Sequence, residues 1–164
     1  MIVVSDTSAL IALCAIGKLD LLRELYREVL VPTAVVVEVI AGGTARNNTN
    51  EILSASWISP REVDPRALAE FRPQLGEGEA AAIALACSLP ADIILIDERL
   101  GRRVAEDQGL RVVGVLGILL AGKRVGLIGA LGPLLASLEA DLGFRIGRSL
   151  RDHILVAAGE IPRP

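Results

Sequence analysis

The sequence predicts an α/β fold: a parallel sheet of about four to five strands flanked by helices, followed by a helical C-terminal tail. Three observations carry that expectation. Apolar residues make up 52% of the 164 positions and aromatics only 2%, so the core must be built from Leu, Ile, Val and Ala, the diet of a parallel sheet covered on both faces. Short apolar runs alternate with longer helical patterns, as crossover connections require. Two of the runs end in aspartate, the place where open α/β sheets carry their ligands.

Taken in order, Ile2 to Ser5 reads as a buried strand that ends in the capping residues Asp6, Thr7 and Ser8. A helix follows through Ala9 to Ala15 and breaks at Gly17, and a second fits Leu19, Leu22, Leu25 and Tyr26. Val29 to Val31 is the second strand. The stretch Pro32 to Ala41 pulls both ways. Val35, Val36 and Val37 favour a strand by propensity, whereas Pro32 at a first turn and the Gly42-Gly43 stop favour a helix, which is the expectation adopted. Residues 43–50 are polar and read as a mobile loop, and Trp57 to Val63 as a short strand or turn. A flexible Gly76-Glu77-Gly78 precedes an Ala-rich helix from Glu79, beginning near Glu77. Ile93 to Ile96 is a strand ending in Asp97, Arg99 to Gln108 a helix stopped at Gly109, and Arg111 to Val113 a last strand. Leu116 to Ala158 is helical with glycine breaks. The organisation expected is one domain over 1–164, with an α/β core over 1–114 and a helical extension over 115–164.

Composition excludes several classes. Mean hydropathy is positive, yet the charge-free stretch Val125 to Leu138 contains Pro133 and glycines. Val112 to Gly122 is shorter than the roughly 20 residues a membrane helix needs. The start of the chain carries Asp6 and no basic segment, so it does not read as a signal peptide. Cys14 and Cys87 stand alone and read as reduced core residues of a cytoplasmic protein. With one histidine, His153, expected on the surface of the last helix, neither paired-histidine catalysis nor a His-rich zinc site can be built, and no nucleophile-elbow or phosphate-loop motif occurs. A haloacid-type phosphatase would want aspartate at position 8, which is serine.

What remains is carboxylate chemistry. Asp6 and Asp97 sit at carboxyl ends of strands, where two aspartates can share a hard cation through oxygen. Asp92 precedes its strand, roughly 17 Å away at about 3.3 Å per residue. A strand-end aspartate is also a common helix cap, so these two alone leave both readings open.

The motifs add to this. VVSDTSALIAL, VLVPTAVVVEVIAGG, GEGEAAAIALA and IILIDERLGRRVAEDQGLRVVG together resemble the acidic motifs of the PIN-domain family, in a prokaryotic PIN-like version that covers roughly Met1 to Gly114. The resemblance implies metal-binding and catalytic roles for Asp6, Glu38, Glu79 and Asp97, with Ser8 as the hydroxyl supporting Asp6 or a bound water. Family members usually carry aspartate where this chain has Glu79. Glu77 competes for that place, but residues two apart on a helix point about 200° apart, and Glu77 is assigned to the helix start instead.

The implied activity is that of a Mg²⁺- or Mn²⁺-dependent endoribonuclease, resembling the toxins of toxin–antitoxin pairs. RNA in single strands or structured loops suits a net charge of −3, which leaves no long basic stripe. Arg99, Arg102 and Arg103 could supply local phosphate contacts, against the simpler reading of solvated helix faces. An antitoxin or a second copy would be the protein partner, with the apolar tail residues Leu116 to Leu120 and Leu127 to Leu138 as surface or, by preference, packed core. Two other readings stay open: a catalytically silent RNA-binding or protein-interaction module, and a metal-dependent phosphatase.

Overall fold

The computed structural model describes residues 1–42 and 49–164, so the expected loop over 43–50 lies outside the described residues except at its end. By internal packing the chain divides into two units, Met1–Val115 and Leu116–Pro164.

The first unit is the α/β one. It begins with β1 (Val3–Ser5), α1 (Thr7–Ala15), α2 (Asp20–Tyr26), β2 (Val29–Pro32) and α3 (Thr33–Ala41). After the undescribed residues come α4 (Asn50–Ser54), β3 (Ile58–Arg61), α5 (Pro65–Phe71), α6 (Glu77–Ser88), β4 (Ile93–Leu95), α7 (Arg99–Asp107) and β5 (Val112–Val113). The five strands form one all-parallel sheet in the order β3-β2-β1-β4-β5. The strands are short, and β1 and β4 are buried along their whole length, as expected for aliphatic runs covered on both faces.

The ambiguous valine run is the helix α3. Val35 and Val39, four apart, are fully buried on one side, so tertiary packing overrides the β preference of the run. In α6 every residue from Ala80 to Ala86 is buried, packed with Val4, Ile94, Ile96, Leu68 and Phe71. Small alanines let a helix lie close to the sheet, and a helix apolar on all sides belongs inside. Helix α6 begins at Glu77, so the segment 76–78 is a helix start rather than a flexible link. Two short helices were not anticipated. In α4, Asn50 is helical instead of looped, and α5 is capped by Asp64, whose side chain accepts from Arg66 N at 2.8 Å. Cys14 is buried as expected, but Cys87 lies on the outer side of α6 and is exposed, which corrects its reading as a core residue.

The second unit holds α9 (Gly132–Leu142) and α10 (Arg148–Ala157), preceded by α8 (Val115–Arg124), which starts on the last residue of the first unit. Ile118, Leu119, Ile128, Leu131, Leu135 and Leu138 are buried and belong to packed core, whereas Val125, Leu127 and Leu150 are exposed. Glu160 folds back onto the start of α9, and Arg151 of α10 is paired with Glu139 of α9. His153 is exposed on α10. No described helix is long and apolar enough to cross a membrane.

Candidate active site

The strand order places a topological switch at the centre of the sheet. Strands β2 and β3 lie on one side of β1, and β4 and β5 on the other. Such a reversal opens a crevice beyond the carboxyl ends of the two central strands, here β1 and β4. Asp6 follows β1 directly, and its N–H donates to Leu95 O at 3.1 Å, which ties it to the end of β4. Asp97 lies two residues past β4. Glu38 comes from α3, after β2, and Glu79 from the first turn of α6.

Asp6 is fully buried at the cap of α1. Its Oδ1 accepts from Ala9 N at 3.0 Å, as a cap should, but its Oδ2 is buried with no hydrogen-bond partner among the described residues. Asp97 accepts from Val115 N with both oxygens at 3.1 Å. Glu38 is held at two points: its Oε2 accepts from Thr7 Oγ1 and its Oε1 from Gly78 N at 2.8 Å. Glu79 lies against Gly101 of α7.

Electrostatics show that these groups feel one another. Burial pushes the Asp6 carboxyl up to about 8; the Ala9 N–H opposes that, while the charges of Asp97, Glu79 and Glu38 add to it. Glu79 is raised by burial and by Glu98, with the Gly76 backbone hydrogen bond pulling the other way and Glu38 adding to the rise. Gly76 is the residue before α6 and Glu79 its third, the spacing of a reciprocal helix cap, so Glu79 also has a structural use. Asp97 is raised by burial, opposed by Val115 N–H and Arg102.

The structure thus brings all four sequence-predicted acids to one edge of the sheet. The donor set is of hard oxygens around one buried, unpartnered carboxylate oxygen, which fits the chemistry of a magnesium-like cation. As they stand, no three His, Cys, Asp or Glu groups among the described residues are arranged to hold an ion, and both oxygens of Glu38 are taken up by hydrogen bonds.

Other predicted residues fall outside this set. Ser8 is exposed on α1, and the hydroxyl that enters the acid cluster is that of its neighbour Thr7. Glu77 is exposed and bonded to Arg72 at 2.7 and 3.0 Å, and that pairing holds its carboxyl below the usual range. Arg99 and Arg103 are exposed, but Arg102 turns back: its Nη1 donates to Ile96 O at 3.1 Å and its charge reaches Asp97. Asp92 accepts from Ile2 N at the opposite edge of the sheet. Sequence reasoning missed Thr7 and Gly78 as partners of Glu38. Thr7 stood in the same hydroxyl pair as Ser8, but nothing local marks Gly78.

A family model described as a PIN domain matches residues 2–160. No curated protein and no solved structure matches the chain.

Proposed function

Because the chain belongs to the PIN-domain family, whose members are generally nucleases, we propose that its acidic crevice is the active site of a Mg²⁺- or Mn²⁺-dependent endoribonuclease. The observation that carries this reading is Asp6 Oδ2, a buried carboxylate oxygen with no donor of its own among the described residues, on a carboxyl that feels the charges of Asp97, Glu79 and Glu38. Such a group needs a proton or a cation. Asp6, Glu38, Glu79 and Asp97 would hold the ion. When bound, it would supply charge to neutralise phosphate oxygens and lower the pKa of a water.

The chain's own residues do the rest. Asp6 stays fixed by Ala9 N–H, and Asp97 by Val115 N–H, so the two central acids are preorganised on the ends of adjacent strands. Glu38 exchanges its bond to Thr7 or Gly78 to join them. Arg99 and Arg103, exposed on α7, are the cations that approach a phosphate backbone, while Arg102 steadies Asp97. Water attacks phosphorus directly in this reading, because attack by the ribose 2′-hydroxyl usually draws on acid/base groups such as paired histidines, and the chain's one histidine lies on α10. The products are then 5′-phosphate and 3′-hydroxyl ends. The substrate proposed is single-stranded or loop RNA in the cytoplasm, given a net charge of −3 that leaves no long basic stripe for a duplex; with few aromatics for stacking, its choice among sequences would rest on shape and polar contacts.

The test sets labelled RNA against a chromogenic phosphate ester, each with and without Mn²⁺. Cleavage of RNA alone, lost in Asp6→Asn, is expected. Turnover of the ester alone would replace this reading with a phosphatase, and 2′,3′-cyclic ends would overturn the mechanism. As the toxin of a pair, the protein expressed alone would arrest growth and Asp6→Asn would not, with an antitoxin or a second copy as its protein partner. A second reading, an RNA-binding or protein-interaction module without turnover, is favoured by Glu38 being bonded at both oxygens. Metal-independent RNA binding without cleavage would decide for it.

A further inference from the structure

The described glycines differ in what holds them as glycine. Gly17, Gly109, Gly126, Gly143 and Gly159 have positive φ, a backbone reason. Gly78, Gly101 and Gly114 have no such φ, yet a Cβ at each would press on a different acid of the crevice. At Gly78 it would stand 2.8 Å from the carboxyl carbon of Glu38. At Gly114 it would stand 2.8 Å from Asp97 Oδ1 and 2.8 Å from Arg102 Nη1. At Gly101 it would stand 3.2 Å from Glu79 Oε1 and 3.3 Å from its carboxyl carbon. Two of the three lie in the first turns of helices α6 and α7, where alanine would still be the better helix former. The helices therefore carry glycine against their own propensity, and the space left is filled by site carboxylates.

We propose that Gly78, Gly101 and Gly114 are positioning residues for Glu38, Glu79 and Asp97. The missing Cβ lets each carboxylate lie against backbone, and at Gly78 it also exposes the N–H that Glu38 accepts. Gly101 has a particular consequence. It makes room for glutamate at position 79, where the motif it resembles usually has the shorter aspartate, so residues 79 and 101 are coupled. The importance of these positions for metal rests on the reading of the crevice as a metal site; the packing relation does not.

The experiment is a double-mutant cycle with two readouts, melting temperature without metal and the rise in melting temperature on adding Mn²⁺. Gly78→Ala should lower the metal-free melting temperature in the native chain and weaken apparent Mn²⁺ affinity at least about tenfold. In a Glu38→Ala background the same substitution should leave the melting temperature unchanged or raise it, because alanine is the better helix former. Equal losses in both backgrounds would overturn the proposal. If Gly78→Ala alone fails to fold, folding of the Glu38→Ala/Gly78→Ala pair supports it and failure of the pair overturns it. Gly101→Ala should weaken Mn²⁺ binding, and adding Glu79→Asp should restore it; failure to restore would break the coupling of 79 to 101. Should the native chain show no Mn²⁺ response at all, the metal reading falls, while the melting comparison in the two backgrounds still decides the packing relation.

Discussion

Asp6 in the first unit and Glu160 in the second are both carboxylates at the start of a helix, and they have opposite fates. Glu160 accepts from Leu131 N and Gly132 N, the latter at 3.2 Å, and lies 3.2 Å from Lys123 Nζ. Burial raises its pKa, but these donors outweigh burial and hold the carboxyl below the usual range. Asp6 has one backbone donor, full burial and the charges of three acids acting on it, and is pushed up to about 8. The same chemical group is thus satisfied in one place and left short of donors in the other. Donor supply, more than residue type, separates a carboxylate used to hold the fold from one held ready for a ligand.

The largest test of that contrast is loss of catalysis. Asp6→Asn keeps a good helix cap and almost the same volume, so the fold should survive, and the metal-free variant should melt at the same or a higher temperature. Cleavage of RNA should fall by more than about a hundredfold, beyond what loss of a supporting group costs. The Mn²⁺-induced melting shift should shrink with it. Equal shifts in both proteins would remove Asp6 from the metal site.

Next in size is the dependence of stability on pH. With an ordinary value of 3.8 and a folded value of about 8, Asp6 holds a proton in the native state that the unfolded chain has lost anywhere between those limits. The native state then binds more protons, so stability falls as pH rises through that window. Glu79 and Asp97, also raised by burial, act in the same direction. Glu160, being lowered, acts oppositely and only at the acid end. In the presence of a chelator, melting temperature should decline from pH 5 to pH 8, and Asp6→Asn should flatten that decline. An unchanged slope would mean that Asp6 ionises normally.

How much of this was legible beforehand depends on the range of the signal. The parallel sheet follows from aliphatic runs and their spacing, and strand-end position alone brings Asp6 and Asp97 together, because both strands are central and parallel. Glu38 and Glu79 were not legible that way. Each sits on a helix whose rotation about its axis no local pattern sets, in one case a valine run of strand propensity and in the other an alanine run without a polar face. Motif resemblance supplied them. The short helix α5 had its signal in plain view, Asp64 before Pro65, a cap followed by a proline in the first turn. Thr7 and Ser8 were indistinguishable in sequence, since each is a hydroxyl after Asp6. One helical step, about 100°, decides which of them meets Glu38.

That step provides a smaller test. Thr7→Val removes the hydroxyl donor to Glu38 while keeping the branched shape, and should change apparent Mn²⁺ affinity by about tenfold, the low end for a group that orients a ligand. Ser8→Ala, on the exposed side, should change it by less than about twofold. If Ser8→Ala has the larger effect, the hydroxyl has been assigned to the wrong neighbour.

The smallest expected effect lies at the other end of the comparison. Glu160→Ala removes an acceptor from two N–H groups at the start of α9 and a partner from Lys123. Loss of a helix cap costs about 1 kcal/mol, or about 2–4 °C in melting temperature for a chain of this size. Because the group is satisfied rather than stressed, its loss should be felt only in stability. RNA cleavage per folded molecule and the Mn²⁺ response should stay as in the native chain. Glu160→Gln separates the two contributions: its amide oxygen can still accept from one of the N–H groups, but the charge facing Lys123 and the helix start is gone, so it should fall between the native chain and Glu160→Ala. If Glu160→Ala instead abolished the Mn²⁺ response while leaving the melting temperature alone, donor supply would not be what distinguishes the two carboxylates, and the contrast with Asp6 would have to be drawn on other grounds.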